Sequence, residues 1–246
     1  MSSPQDRQLT KIIGILEVDE KGEMLKSSFR LFPEKEEEEK AEKVEAFTLK
    51  TVKLPTSYTE IDELVIQMYP EVVGRTEENI KLDTFGGNPL QKDNFQSIET
   101  SANKNDCLIH SFLDLTSPSF RKLTNDEKNK FADDFRRELL PRMYKEKAPD
   151  AKAEINLLKP GGFLDELNMR RLGKFFSINI ATFEKVYGGV MLIPPTNIIA
   201  DTPFIIIYNP DRAHFRGVRE IESGVSKYQF TEDEITEAEI KYLEEN

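Results

Sequence analysis

Asn103-Lys104-Asn105-Asp106-Cys107-Leu108-Ile109-His110-Ser111-Phe112-Leu113 carries the only cysteine of the chain and reads as a polar loop running straight into a helix. Asn103, Asn105 and Asp106 suit a turn or an N-cap. The apolar run Leu108, Ile109, Phe112, Leu113 and Leu115 suits a buried helix that stops before Pro118. Cys107 then falls in the first helical turn, where unpaired backbone N–H groups and the positive end of the helix dipole favour thiolate over thiol. Taken alone, the residue reads first as a structural cysteine, since free Cys packs as a small hydrophobe.

Working outward, the composition sets limits. The 246 residues are 38% apolar, enough for a real core, and 45 acidic against 34 basic side chains give a net charge of −11. That charge argues against nucleic acid, whose phosphates would be repelled. One cysteine makes no intramolecular disulfide, no apolar stretch approaches the length of a membrane span, and Met1-Ser-Ser-Pro-Gln-Asp-Arg7 is not built like a signal peptide. The expectation is a monomer working in a reducing, aqueous compartment, the cytoplasm.

Upstream of the cysteine, residues 11–18 and 23–32 flank the polar turn Asp19-Glu20-Lys21-Gly22 and read as a hairpin. The charged run from Glu34 to Lys43 buries no face and is assigned no function. Residues 46–54 alternate as a third strand closing at Pro55, so 1–55 read as a small β extension. A helix is expected at 59–69, with Ser57 and Glu60 at capping-box spacing, and residues 70–100, containing Gly86-Gly87 and Pro89, read mostly as loop.

Downstream, Thr124 and Glu127 cap a helix whose Phe131, Phe135 and Leu139 recur every four residues, with Pro141 near its end. Pro160-Gly161-Gly162 precedes a helix over 163–176, with Leu164, Leu167, Leu172, Phe175 and Phe176 as its buried stripe, and then a strand over 177–183. The run Phe204 to Tyr208 suits a central strand, Asn209-Pro210-Asp211 a turn, and His214 the opening of the next strand. Imidazole at such a rim can take a proton from a thiol and return it to a leaving amine, the exchange that nucleophilic catalysis by cysteine requires. A final helix over 231–246 is capped by Thr231 and Glu234.

Other chemistries find little support. Cys107 and His110 lie three apart on one helix, but a metal site needs three or four ligands and no second cysteine exists, so no metal site is assigned. Gly86-Gly87 and Gly188-Gly189 match no phosphate loop and no Gly-x-Ser-x-Gly elbow occurs, so neither a cofactor nor a serine hydrolase is expected.

Three blocks in this order and spacing, Lys104 to Ile109, Pro160-Gly-Gly through Ile180, and Phe204 to Phe215, resemble the ovarian tumour (OTU) family of cysteine proteases, most of them deubiquitinases. They contain the only Cys and one of the two His residues, and the resemblance covers about 100–220. It implies an α/β (α+β) fold of papain-like OTU type: a small central sheet flanked by helices over 56–230, preceded by the N-terminal β extension 1–55 and followed by an acidic helix over 231–246. It implies Cys107 as nucleophile, His214 as base, and ubiquitin or a ubiquitin-like conjugate as substrate. The backbone N–H groups of Asn105, Asp106 and Cys107 would then hold the oxyanion.

The chain departs from the family at three places. Lys104 stands where an Asp is usual, Asn105 where a glycine is, and Arg216 where an Asp or Asn often orients the histidine. Arginine cannot accept the imidazole N–H. A third group from Asp106 or Asn103, a bare Cys–His dyad, and an inactive domain all remain open on the residues. So do two other functions: a silent OTU-like module that binds ubiquitin or another protein, and a related papain-like deamidase. The glutamates of the last helix (Glu232, Glu234, Glu237, Glu239, Glu244, Glu245) also resemble the acidic C-terminal export signals of type IV-secreted bacterial effectors, which would place the protein in a host cytosol.

Overall fold

The computed structural model describes residues 10–18, 24–33, 47–77, 82–83, 95–100, 103–186, 189–209 and 214–236. The acidic run 34–43, the Gly86-Gly87 segment, Gly188, the turn at 210–213 and the glutamates beyond residue 236 lie outside them. The chain divides into two compact units, 1–47 and 48–246, so the division falls ahead of Pro55. In the first unit β1 (Thr10–Val18) and β2 (Met24–Pro33) pair antiparallel, Thr10 opposite Pro33 and Gly14 opposite Phe29, with an irregularity at Glu17/Val18.

The expected third strand does not form. Residues 47–55 run irregularly, because the carbonyls of Leu49 and Val52 accept hydrogen bonds from the Arg142 guanidinium at 2.9 and 2.7 Å instead of entering a ladder.

The second unit is mixed α and β. Its helices begin with α1 (Thr59–Met68), which buries Ile61, Leu64 and Val65. The cap is shifted by one residue from the expected box: the Glu60 carboxylate accepts from the N–H and hydroxyl of Thr56, not from Ser57. Residues 70–100, expected as loop, contribute two strands, β3 (Leu82–Asp83) and β4 (Phe95–Ile98). There follow α2 (Cys107–Thr116), α3 (Pro118–Arg121) and α4 (Asn125–Asp134), whose Thr124–Glu127 capping box forms as the spacing predicts.

From α4 the chain passes without a break through a π turn, Phe135–Leu139, into α5 (Leu140–Lys147). The wider turn accommodates Pro141, which has no N–H to give, so the helix outruns the stop expected near that proline. Next come α6 (Lys152–Leu157) and α7 (Glu166–Phe175), the latter started by an Asp165–Asn168 capping box. Asp165 caps the helix rather than lying inside it, and the turn before it leaves Leu167 52% exposed while Met169 takes its place in the core.

The strands β5 (Asn179–Val186), β6 (Gly189–Ile193), β7 (Phe204–Asn209), β8 (Arg216–Glu222) and β9 (Val225–Lys227) complete a seven-stranded mixed sheet in the order β3-β4-β8-β7-β5-β6, with β9 on β8. Among the described residues only β5 and β7 pair parallel; the other pairs are antiparallel. Phe204 to Tyr208 are buried throughout, as a strand covered on both faces requires. One face meets Phe95, Phe230 and Ile235 through Phe183, Phe204, Ile206 and Val218.

The other face is covered by α2, every residue of which is buried. A Cβ added to Gly217 of β8 would lie 3.1 Å from Leu115 Cγ, so a residue without a side chain lets helix and strand close up there. Behind α2, Phe112, Phe135 and Phe176 pack ring on ring at centroid distances of 5.3 to 6.5 Å, which uses the four-residue aromatic spacing as core.

Candidate active site

The loop before Cys107 is held in an unusual shape. Lys104 (φ 56°) and Asn105 (φ 61°) are both left-handed, a conformation that disfavours L-residues by about 1–2 kcal/mol each, least so for Asn. Arg136, from the π turn and 2% exposed, holds it there. Its Nη1 donates to the carbonyls of Lys104 (3.0 Å) and Asn105 (3.2 Å) and to Asp106 Oδ1. Its Nη2 donates to the carbonyls of Leu157 (2.7 Å), Lys159 (3.2 Å) and Gly162, and its Nε to Leu158 O (3.2 Å).

One buried guanidinium thus ties the cysteine loop to the Pro160-Gly161-Gly162 turn, a task its planar fork of donors suits. Asn105 adds a bond from Nδ2 to Gly161 O at 2.9 Å. Gly161 is left-handed (φ 78°), and a Cβ on Gly162 would stand 2.4 Å from Leu157 O. Both glycines are therefore required by the turn itself.

Cys107 opens α2, and the backbone N–H groups of Phe215 and Leu108 lie near its sulfur along with its own. These amides favour thiolate, as the helix start predicts. Burial outweighs them: with the side chain 4% exposed, desolvation pushes the thiol pKa up, and the nearby Asp106 charge adds to the rise. The expectation that the helix start favours thiolate is thus offset: the net shift favours the thiol.

His214 and Phe215 directly precede β8, and the Phe215 amide on the sulfur brings the two chemical blocks together across a hundred residues. A third residue joins them. Thr100, buried just beyond β4, donates from Oγ1 to Phe215 O at 2.7 Å and lies 3.5 Å from His214 Nε2. Of the two third-group candidates, Asp106 is 3% exposed with its carboxylate turned to Arg136, where it serves the loop, and the side chain of Asn103 lies outside the described residues. Arg216 takes its place in β8 opposite Tyr208. His110 stays apart from this chemistry. It is buried with its ring edge against Phe120 at 5.9 Å, and desolvation lowers its pKa, which keeps it neutral.

Arg136 and Thr100 were not marked by the sequence motifs. A signal for Arg136 exists: it lies four residues after Ala132 and four before Leu140, both buried, so helical spacing puts a cation on an apolar stripe. Thr100 has none, since only the β4–β8 register places it.

A cleft of about 530 Å³ opens beside Phe215, walled by Phe163, Met169 and Asn209 and by the acidic Asp165, Glu166 and Glu184. Phe163, 56% exposed, is an apolar rim to it. A second cavity of about 390 Å³ shares Glu166, Met169 and Thr182 but extends along α7 to Pro194 and Pro195, and the lining of neither includes Cys107 or His214. Among the described residues no three His, Cys, Asp or Glu side chains gather as they would around a metal, and no helix is long and apolar enough to cross a membrane. Compared with protein-family models the chain matches none, and no curated protein matches it.

Proposed function

We propose that the protein is a thiol hydrolase of OTU type, a cysteine isopeptidase acting on ubiquitin or a ubiquitin-like conjugate. The observation that supports the reading is the Phe215 amide near the Cys107 sulfur, in the residue that follows His214, with the cysteine at the first turn of a buried helix. His214 takes the thiol proton. The thiolate attacks the carbonyl carbon of the modifier's C-terminal glycine, and the oxyanion is held by amides of the Asn105–Cys107 loop that Arg136 shapes. The imidazolium then gives its proton to the departing lysine amine, leaving a thioester that water hydrolyses to free carboxylate and thiol. The cleft with Asp165, Glu166 and Glu184 on its walls suits a segment carrying positive charge ahead of the scissile bond.

The near-complete burial of Cys107 favours a second reading, a silent module that binds the modifier without cleaving it. A ubiquitin bearing a C-terminal thiol-reactive group separates them. The isopeptidase forms a covalent adduct that Cys107→Ala abolishes and His214→Ala slows at least tenfold. Binding of unmodified ubiquitin without any adduct would leave the silent module, and neither adduct nor binding would overturn the choice of substrate.

A further inference from the structure

The register that pairs Phe95 with Glu220, Gln96 with Arg219 and Ser97 with Val218 runs on to set Thr100 across from Phe215, next to His214. We propose that Thr100 is the positioning residue for His214, filling the place left by Arg216, and that it fixes the imidazole as the tautomer protonated on Nε2. The inference rests on the cysteine–histidine reading of the site and goes beyond it by naming the group that orients the base.

A hydroxyl has one proton and two lone pairs. The Thr100 proton is committed to Phe215 O, a buried bond of 2.7 Å. Toward His214 Nε2, 3.5 Å away, the same oxygen has only a lone pair to offer, so that nitrogen must carry hydrogen for the contact to be attractive. The lone pair of the neutral ring is thereby left on Nδ1, which in the proposed mechanism is the nitrogen that takes the thiol proton. At 3.5 Å the contact is at the long end for a hydrogen bond, in keeping with resting sites whose catalytic contacts shorten when substrate binds.

The alternative acceptor for Nε2–H within the sequence motif, residue 216, is an arginine that accepts nothing. Thr100 is 6% exposed, which shields its oxygen from competing water. Because the oxygen is neutral, it orients imidazole and imidazolium alike but holds the imidazolium less tightly than a carboxylate would. Phe215 is the shared beam of the arrangement. Its carbonyl anchors the threonine and its N–H lies near the sulfur, so the acceptor of His214 and the nucleophile are referenced to one residue.

The test needs no substrate. Nitrogen-15 NMR of the full chain labelled at histidine, assigned with His214→Ala, reads the tautomer directly. The expected wild-type spectrum has a protonated Nε2 and an unprotonated Nδ1 at pH above the titration of the ring; a neutral His214 protonated on Nδ1 overturns the proposal whatever the variants do. Alkylation of Cys107 by iodoacetamide at neutral pH then reads the consequence. Thr100→Val should slow it about tenfold and mix the two tautomers, while Thr100→Ser, which keeps the hydroxyl, should stay within about twofold of wild type. Equal rates in Thr100→Val and wild type, or a Thr100→Ser as slow as Thr100→Val, refute the role. An intact threonine effect in a protein that gives no adduct with the ubiquitin probe would sink the substrate assignment and leave this inference standing.

Discussion

Replacing Arg136 should be among the most damaging single changes in the protein, and the reason lies in what its guanidinium leaves behind. The side chain is 2% exposed and satisfies the carboxylate of Asp106, 3% exposed, together with six backbone carbonyls from two loops. Arg136→Met strands a buried carboxylate, and breaking one partner of such a pair is worth about 3–5 kcal/mol. Some carbonyls will recover water as the loops loosen, so the expected loss is about 4 kcal/mol, a third or more of the whole stability of an ordinary domain. Arg136→Lys keeps a cation for Asp106 but cannot reach both loops, and should fall about halfway. Removing the charge as well, in Arg136→Met with Asp106→Asn, should recover about 2 kcal/mol of the summed single losses. Denaturant unfolding followed by circular dichroism measures wild type, Arg136→Met, Arg136→Lys, Asp106→Asn and the double change. A loss under about 1 kcal/mol for Arg136→Met, or strictly additive single changes, would show that the ion pair does not hold the loop.

Gly162→Ala drives a methyl to within 2.4 Å of Leu157 O, and the turn must move to admit it; alkylation of Cys107 and unfolding should both change, with a stability loss of about 2 kcal/mol, whereas an unchanged protein would refute the packing argument. His110 is held neutral by burial, so its folded pKa lies below its ordinary value. Protons then bind the unfolded chain preferentially, and stability falls as pH drops below about 6.5; in His110→Gln that part of the pH dependence should vanish, and its persistence would assign it elsewhere. Arg75 bonds to Glu127 hold that carboxyl down at about 2, so its contribution is full above about 4.5 and is lost as pH falls toward 2. With both side chains partly exposed the share is about 1–2 kcal/mol, and an Arg75→Met protein whose unfolding curve between pH 5 and 2 parallels the wild type would contradict it.

How much of this could be read beforehand follows from the range of each interaction. Helix signals of short reach were legible: the Thr124–Glu127 box, the aromatic stripe of Phe131 and Phe135, and the cysteine at the start of α2 all depend on residues within a turn or two. The hairpin of residues 10–33 was legible for the same reason. The strand expected at 46–54 was not, because alternation alone cannot tell whether a partner strand or a side chain such as Arg142 will claim the carbonyls. Strand β4 escaped notice because four residues carry too little periodicity. Proline signals were read too strongly, since Pro141 ends a regular α-helix but not one that widens into a π turn.

The site divides in the same way. Cys107 and His214 were marked by residue chemistry, which is local, whereas what decides their behaviour is not. Helix-start amides, the feature visible in sequence, favour thiolate; desolvation by the sheet and neighbouring helices, invisible there, is larger and reverses the sign. In the proposed mechanism the thiol, its pKa raised, must give its proton to a base, and the residues that touch that base and shape the loop beside it, Thr100 and Arg136, come from a strand end and a π turn that no motif contains. On that proposal the departures at Lys104 and Arg216 are compatible with activity: the left-handed Lys104 is held through its own carbonyl, which any residue possesses, and Thr100 Oγ1 lies 3.5 Å from the His214 ring.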